Sequence, residues 1–208
     1  MAYKLKVTLS DLAERLNRKI DYTAAIEHLG LKTLAWARRR FEDGKGPDGR
    51  PWAPLKHPRV SGGNLPLLDR GMLRSSVTTA SATGSIFEKT SNHLLAGTAL
   101  EYGPIHQYGG VIRPKNAKML AIPATKKAKA VGSPRNWPEG TLHFRWGKRG
   151  GVAFTKKGLR EQVQYYFAKE VTIPARPYVG YSESDEAEMV EIVAEHAAKE
   201  IRKNLGAS

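Results

Sequence analysis

Helical periodicity occupies the two ends of this 208-residue chain, and between them the apolar residues fall into short runs punctuated by Gly and Pro. That arrangement constrains the fold more than any motif, because an amphipathic helix and a half-buried strand expose faces of different period. Tyr3, Leu5, Val7 and Leu9 alternate with Lys4, Lys6 and Thr8, the pattern of a strand. Ser10 then suits a helix N-cap, Leu12, Leu16 and Ile20 recur at helical spacing, and a second helical stretch from Asp21 to Phe41 aligns Ile26, Leu29, Thr33, Ala37 and Phe41. Arg38, Arg39 and Arg40 fall in its last turn, where cations complement the helix dipole, and Gly44 suits its end.

The C-terminal helix is marked more clearly. Ser182 and Asp185 have capping-box spacing, and Met189, Val190, Val193, Ala197, Ile201 and Leu205 trace an apolar stripe. Lys199, Arg202 and Lys203 close it, and seven acids from Glu183 to Glu200 make its outer face negative.

From Asp43 to Pro66 the density of Gly and Pro predicts a long loop anchored by a buried Trp52. The segments 73–80 (LRSSVTTA), 85–90, 93–98, 111–114 and 118–123 read as short strands. LHFRW (142–146) and GVAFT (151–155) flank Gly147 to Gly150 as a hairpin, with Leu142, Phe144 and Trp146 on one face and His143 and Arg145 on the other. The fold class expected is α+β: helices at the N- and C-terminal ends packed on a mostly antiparallel sheet. One domain over residues 1–208, carrying a basic hairpin-containing insertion at about 124–160, accommodates this length.

Charge is concentrated in the same middle region. Residues 113–160 hold 13 Lys and Arg against the single acid Glu139, a net of +12 out of +14 for the whole chain. Within it, Lys126, Lys127, Lys129, Arg135, Arg145, Lys148, Arg149, Lys156 and Lys157 lie near Trp137, Phe144 and Trp146. Cations interleaved with aromatics suit phosphate neutralisation and base stacking, and they equally suit docking on an acidic protein surface or simple solvation. The residues leave these alternatives open, with Trp146 and the nine cations as the candidate partner or nucleic-acid contacts.

Several chemistries find no footing. The chain has no Cys, which removes disulfides, thiolate catalysis and Cys-based metal sites. Gly44, Gly46 and Gly49 match GxGxxG, but they leave a helix and run into Pro51 instead of opening a helix after a strand. The six His show no HExxH or similar pairing, and neither GxSxG nor a phosphate-binding loop occurs. YGPIHQYGG (102–110) frames His106 with glycines, and a tight turn with His106 or Gln107 bonded to backbone accounts for it without catalysis. No catalytic residue, metal or cofactor is expected. Neither a signal-peptide-length apolar run at the N-terminus nor 18 consecutive apolar residues occur, so neither secretion by signal peptide nor a membrane partner is expected.

Four phrases in order, RRRFEDGKGPDGRPWAPL, LLDRGMLRSSV, GTALEYGPIHQYGG and IPARPYVGYSESDEAEM, resemble the phage virion morphogenesis family, which includes the tail-completion and G-type proteins of Mu-like phages. The positions that carry the likeness include Asp69, Gly71, Tyr102, His106, Gln107, Gly109, Gly110, Pro174, Arg176 and Pro177. The resemblance implies a non-enzymatic structural protein of a tailed phage or prophage, acting at the head-tail neck or in tail completion. It implies a ring or other homo-oligomer, contacts with other neck, head-completion or tail proteins, and a place in the virion after assembly in the host bacterial cytoplasm. DNA contact through the basic segment is the alternative. Most of these positions read as architectural, with Asp69 as a helix cap and Arg176 fixing the approach to the final helix, paired with Asp69 or another acid.

Overall fold

The structure, a computed structural model, describes residues 3–8, 20–56, 64–148 and 150–204, with 3–8 and 204 described by backbone alone. Ser10, Leu12, Leu16 and Leu205 lie outside the described residues. The chain forms two compact units. The first takes Met1–Pro54, Leu65–Tyr108 and Ala175–Ser208, and the second takes Leu55–Asn64 and Gly109–Pro174. Helices and antiparallel sheets share the chain, as an α+β fold requires.

In the first unit, β1 (Tyr3–Thr8), β2 (Ser85–Lys89) and β3 (His93–Thr98) make an antiparallel sheet of order β1-β3-β2. Helix α1 (Thr23–Asp43) buries Ile26, Leu29, Ala37 and Phe41 as its periodicity predicts. Its buried face is wider than that stripe, because Ala25, Gly30, Trp36 and Arg40 are buried too. Gly44 ends it in the left-handed region at φ 65°, its N–H bonded to the Arg40 carbonyl. Helix α5 of this unit runs Glu183–Asn204 and packs Ile192, Val193 and Ala197 against Ile26, Leu29 and Leu94. Val190, which the apolar stripe included, is 69% exposed, while Ile192 is 4% exposed. Successive helical residues are about 100° apart, so a helix that points Met189 and Val193 inward turns Val190 away.

Two segments read as strand and turn are helical. Residues 73–80, read as a strand, form helix α2 (Met72–Thr78) instead, followed by extended Thr79. Leu73, Ser76 and Val77 share its buried face, and Ser76 Oγ bonds the Leu73 carbonyl and Thr98 Oγ1, both at 2.9 Å. Tertiary burial at i, i+3 and i+4 overrides the β-propensity of Ser, Thr and Val. The N-cap position of α2 is taken by Gly71 at φ 77°, two residues after Asp69. Likewise 102–110 is not a simple turn: Gly103–Tyr108 form helix α3, which stops where Gly109 takes φ 72°.

The second unit contains a two-stranded pair, β4 (Gly110–Ile112) with β9 (Val171–Ile173), and a four-stranded antiparallel sheet. That sheet has order β5-β8-β7-β6, from β5 (Leu120–Pro123), β6 (His143–Gly147), β7 (Gly150–Lys157) and β8 (Arg160–Ala168). The β6–β7 hairpin is the one the sequence predicts, and β8 and β9 are strands it does not. Helix α4 (Lys126–Val131) lies against β5 and β8. The local core is small: Ala128, Trp137, Ala153 and Tyr165, with Tyr165 Oη donating to the Ala128 carbonyl at 3.0 Å.

Candidate functional site

The residues of the first unit that carry the sequence pattern hold backbone in place. Gln107, projecting from α3, makes three bonds to a distant segment: Nε2 donates to the Val179 carbonyl at 2.7 Å, and Oε1 accepts from the N–H groups of Tyr178 and Val179 at 2.9 and 3.0 Å. Arg176 is 5% exposed, its Nε and Nη2 donating to the carbonyls of Ala53 and Pro54, while its N–H bonds the His106 carbonyl. Trp52 Nε1 donates to the Pro177 carbonyl at 2.8 Å, which makes it the loop anchor expected. Gly103 is required by space, since a Cβ would sit 2.8 Å from Thr98 Cγ2 and 2.9 Å from Tyr178 Oη. Burial pushes the Tyr178 phenol well above its ordinary range. Half-buried His106 meets the exposed Tyr102 ring edge-on at 6.0 Å. Asp69 is exposed, and Pro174 follows β9 half-buried.

The arginine triplet serves more than the helix dipole. Asp185, 2% exposed, accepts from Arg40 at 2.5 Å and from Arg39 at 3.1 Å. Its Oδ2 also accepts the Ser182 N–H, and Ser182 Oγ accepts the Asp185 N–H, so the capping box forms as the sequence predicts. Burial pulls the Arg40 guanidinium below its ordinary pKa, against the opposing pull of Asp185.

Side chains in the second unit are arranged differently. Pairing of Trp146 with Gly151, and of Gly151 with Phe167, puts both rings over one glycine. A Cβ on Gly151 would lie 2.4 Å from Trp146 Cε3, so the glycine lets Trp146 fold across β7 to reach Phe167, centroids 4.9 Å apart. Phe144 lies beside Trp146, the ring planes 9° apart and centroids separated by 6.2 Å. The result is an aromatic ledge on the sheet face that α4 shares, with Phe144 50% and Trp146 59% exposed. The ledge stands on β6, an edge strand whose five residues are all exposed.

The candidate cations divide into two sets. Arg145 forks onto Glu161 at 2.9 and 3.1 Å and covers the Phe154 ring, Lys127 covers Trp137, and Lys156 lies 6.0 Å from Phe154. These three are engaged within the unit. Lys126 and Lys129 are exposed on α4, Arg135 on a short 3-10 turn, Lys148 in the hairpin turn and Lys157 at the end of β7. Arg149 lies outside the described residues. Phe167, Glu161 and the fully exposed Leu159 belong to this surface and were not singled out from the sequence, although the run Tyr165, Tyr166, Phe167 is a visible signal.

The second unit holds 16 of the 34 basic residues and 3 of the 20 acids, a net of +13, which leaves the first unit, with 18 basic and 17 acidic residues, at +1. Among the described residues no group of three or more His, Asp or Glu is placed to hold a metal ion, and no helix is long and apolar enough to cross a membrane.

Exposed rings and cations thus gather in the second unit, while the first is close to neutral. No curated protein and no solved structure matches the chain. A family model does, over residues 3–198, nearly the full length and including the framework positions Gln107, Arg176 and Tyr178. The chain is therefore a member of the phage virion morphogenesis family.

Proposed function

We propose that this protein is a non-enzymatic assembly component of a tailed phage or prophage, akin to the tail-completion and G-type proteins of Mu-like phages, that acts at the head-tail neck or in tail completion and works as a homo-oligomer alongside other neck, head-completion or tail proteins. Family membership across residues 3–198 carries this reading. The partition of charge between the units supports it, since an assembly protein needs one surface that meets partners and a framework that stays fixed. Inactivating the gene in a producing phage and imaging the lysate by electron microscopy tests it. The expected outcome is separate heads and tails, or tails of aberrant length or ending, restored by the gene in trans. Intact infectious virions without the protein would overturn it.

A second reading has a specific observation behind it. Half-exposed Phe144 and Trp146, with Lys148 in the adjoining hairpin turn and the exposed lysines of α4 in the same unit, offer rings and cations of the kind single-stranded nucleic acid uses. It requires affinity for an oligonucleotide that falls steeply with salt, with a slope reduced in Lys126→Ala and Lys148→Ala variants. A flat salt dependence removes it.

A further inference from the structure

We infer that the aromatic ledge of the second unit docks on the outer face of α5 in a second copy of this chain. The inference rests on the self-assembly part of the proposed function, and adds which surfaces meet. The ledge side offers Phe144 and Trp146 on an open edge strand, with Lys148 exposed in the turn that follows that strand and Lys126 exposed on α4 of the same unit. Neither lysine forms an ion pair with another described residue.

The receiving side is a face of opposite charge with an apolar centre. Glu183, Glu186, Glu191 and Glu195 are exposed along α5 and form no ion pair with a described residue. Their neighbour Glu188 behaves otherwise, being tied to Lys32 and to Trp36 Nε1. Between the free glutamates, Val190 at 69% exposure and the exposed Ala187 and Ala194 present a low apolar strip that aromatic rings can approach closely.

Charge then selects the geometry. Two second units, each at +13, repel, so ledge-to-ledge contact is disfavoured. A ledge meeting α5 joins two different surfaces, a heterologous contact that closes into a ring or propagates.

The full-length protein tests this by light scattering on a sizing column across protein concentration and salt. The parent chain is expected to gain mass with concentration and lose it in high salt. A basic-side variant, Lys126→Glu with Lys148→Glu, and an acidic-side variant, Glu191→Lys with Glu195→Lys, each move half-association to a concentration higher by about tenfold or more. An equimolar mixture of the two variants restores association, because every ledge then meets an α5 of opposite charge. Trp146→Ser weakens association at unchanged charge, with circular dichroism reporting an unaltered fold. Variants that associate like the parent, or a mixture that fails to recover, overturn the pairing. A parent that stays monomeric throughout also overturns it, leaving the proposed function to contacts with other virion proteins. A monomeric parent that binds a single-stranded oligonucleotide in a Trp146-dependent way overturns it in favour of nucleic acid.

Discussion

The two units of this protein use their polar and aromatic side chains in opposite directions. In the first, Gln107, Arg176, Asp185 and Trp52 all turn inward, and each bonds a segment remote in sequence. In the second, the aromatic core is small, while Phe144, Trp146, Tyr166 and Leu159 face solvent among unbalanced cations. A side chain that satisfies its own backbone is unavailable to a partner, and a half-exposed Trp on an edge strand contributes little to its own fold. The contrast separates the side chains that hold the fold from those left facing solvent, and substitutions should divide accordingly.

The sharpest break of that contrast is Asp185→Ala. It removes the Asp185 half of the capping box that opens α5, leaving the Ser182 half, and strands the buried Arg40 guanidinium, at a cost of about 3–5 kcal/mol, measurable by chemical denaturation. Gln107→Leu follows: it leaves a carbonyl and two N–H groups without their partner, costing about 2–4 kcal/mol, whereas Gln107→Glu keeps both accepted bonds and costs less. Gly103→Ala presses a methyl against Thr98 and Tyr178 and should cost about 1–3 kcal/mol.

Alkaline titration probes the same framework. Burial raises the Tyr178 phenol above its unfolded value of about 10, so its contribution is complete below that pH and is lost as pH rises, once the unfolded chain ionises and the folded one does not. Tyr178→Phe should therefore flatten the fall in stability above about pH 10, by at most about 1.4 kcal/mol per pH unit. Part of the slope remains, because burial raises Tyr165 and Tyr181 as well. Smallest in stability is Trp146→Ser, within about 0.5 kcal/mol at an exposed position, although it is expected to be the most damaging of the five to association. A large loss of stability from Trp146→Ser would erase the distinction between the units.

Local signals in the sequence were the ones that translated into structure. The Ser182–Asp185 box, the stripe of α1 and the turn at Gly147–Gly150 each lie within a few residues, and each forms. Signals that depend on remote contacts did not translate. Arg40 looked like a dipole partner because its carboxylate is 145 residues away. LRSSVTTA looked extended because the burial that makes it helical comes from Thr98 and other distant residues. Strand β8 went unseen because its register shifts opposite Ala153 and Phe154, with Gln164 as the extra residue, and the shift breaks the period-two alternation that marks a strand. At the surface, Phe144 and Trp146 were legible as a pair, while Phe167, which backs them, belongs to that same unseen strand.

The bond between Arg40 and Asp185 also sets a schedule. Every residue of the second unit lies between these two in the chain, so the first unit cannot close until the second has been synthesised. A nascent or truncated chain ending before α5 lacks both the carboxylate that Arg40 needs and the acidic helix face itself. Completion of the last helix is thereby the condition for the first unit to close, a check on length written into one ion pair.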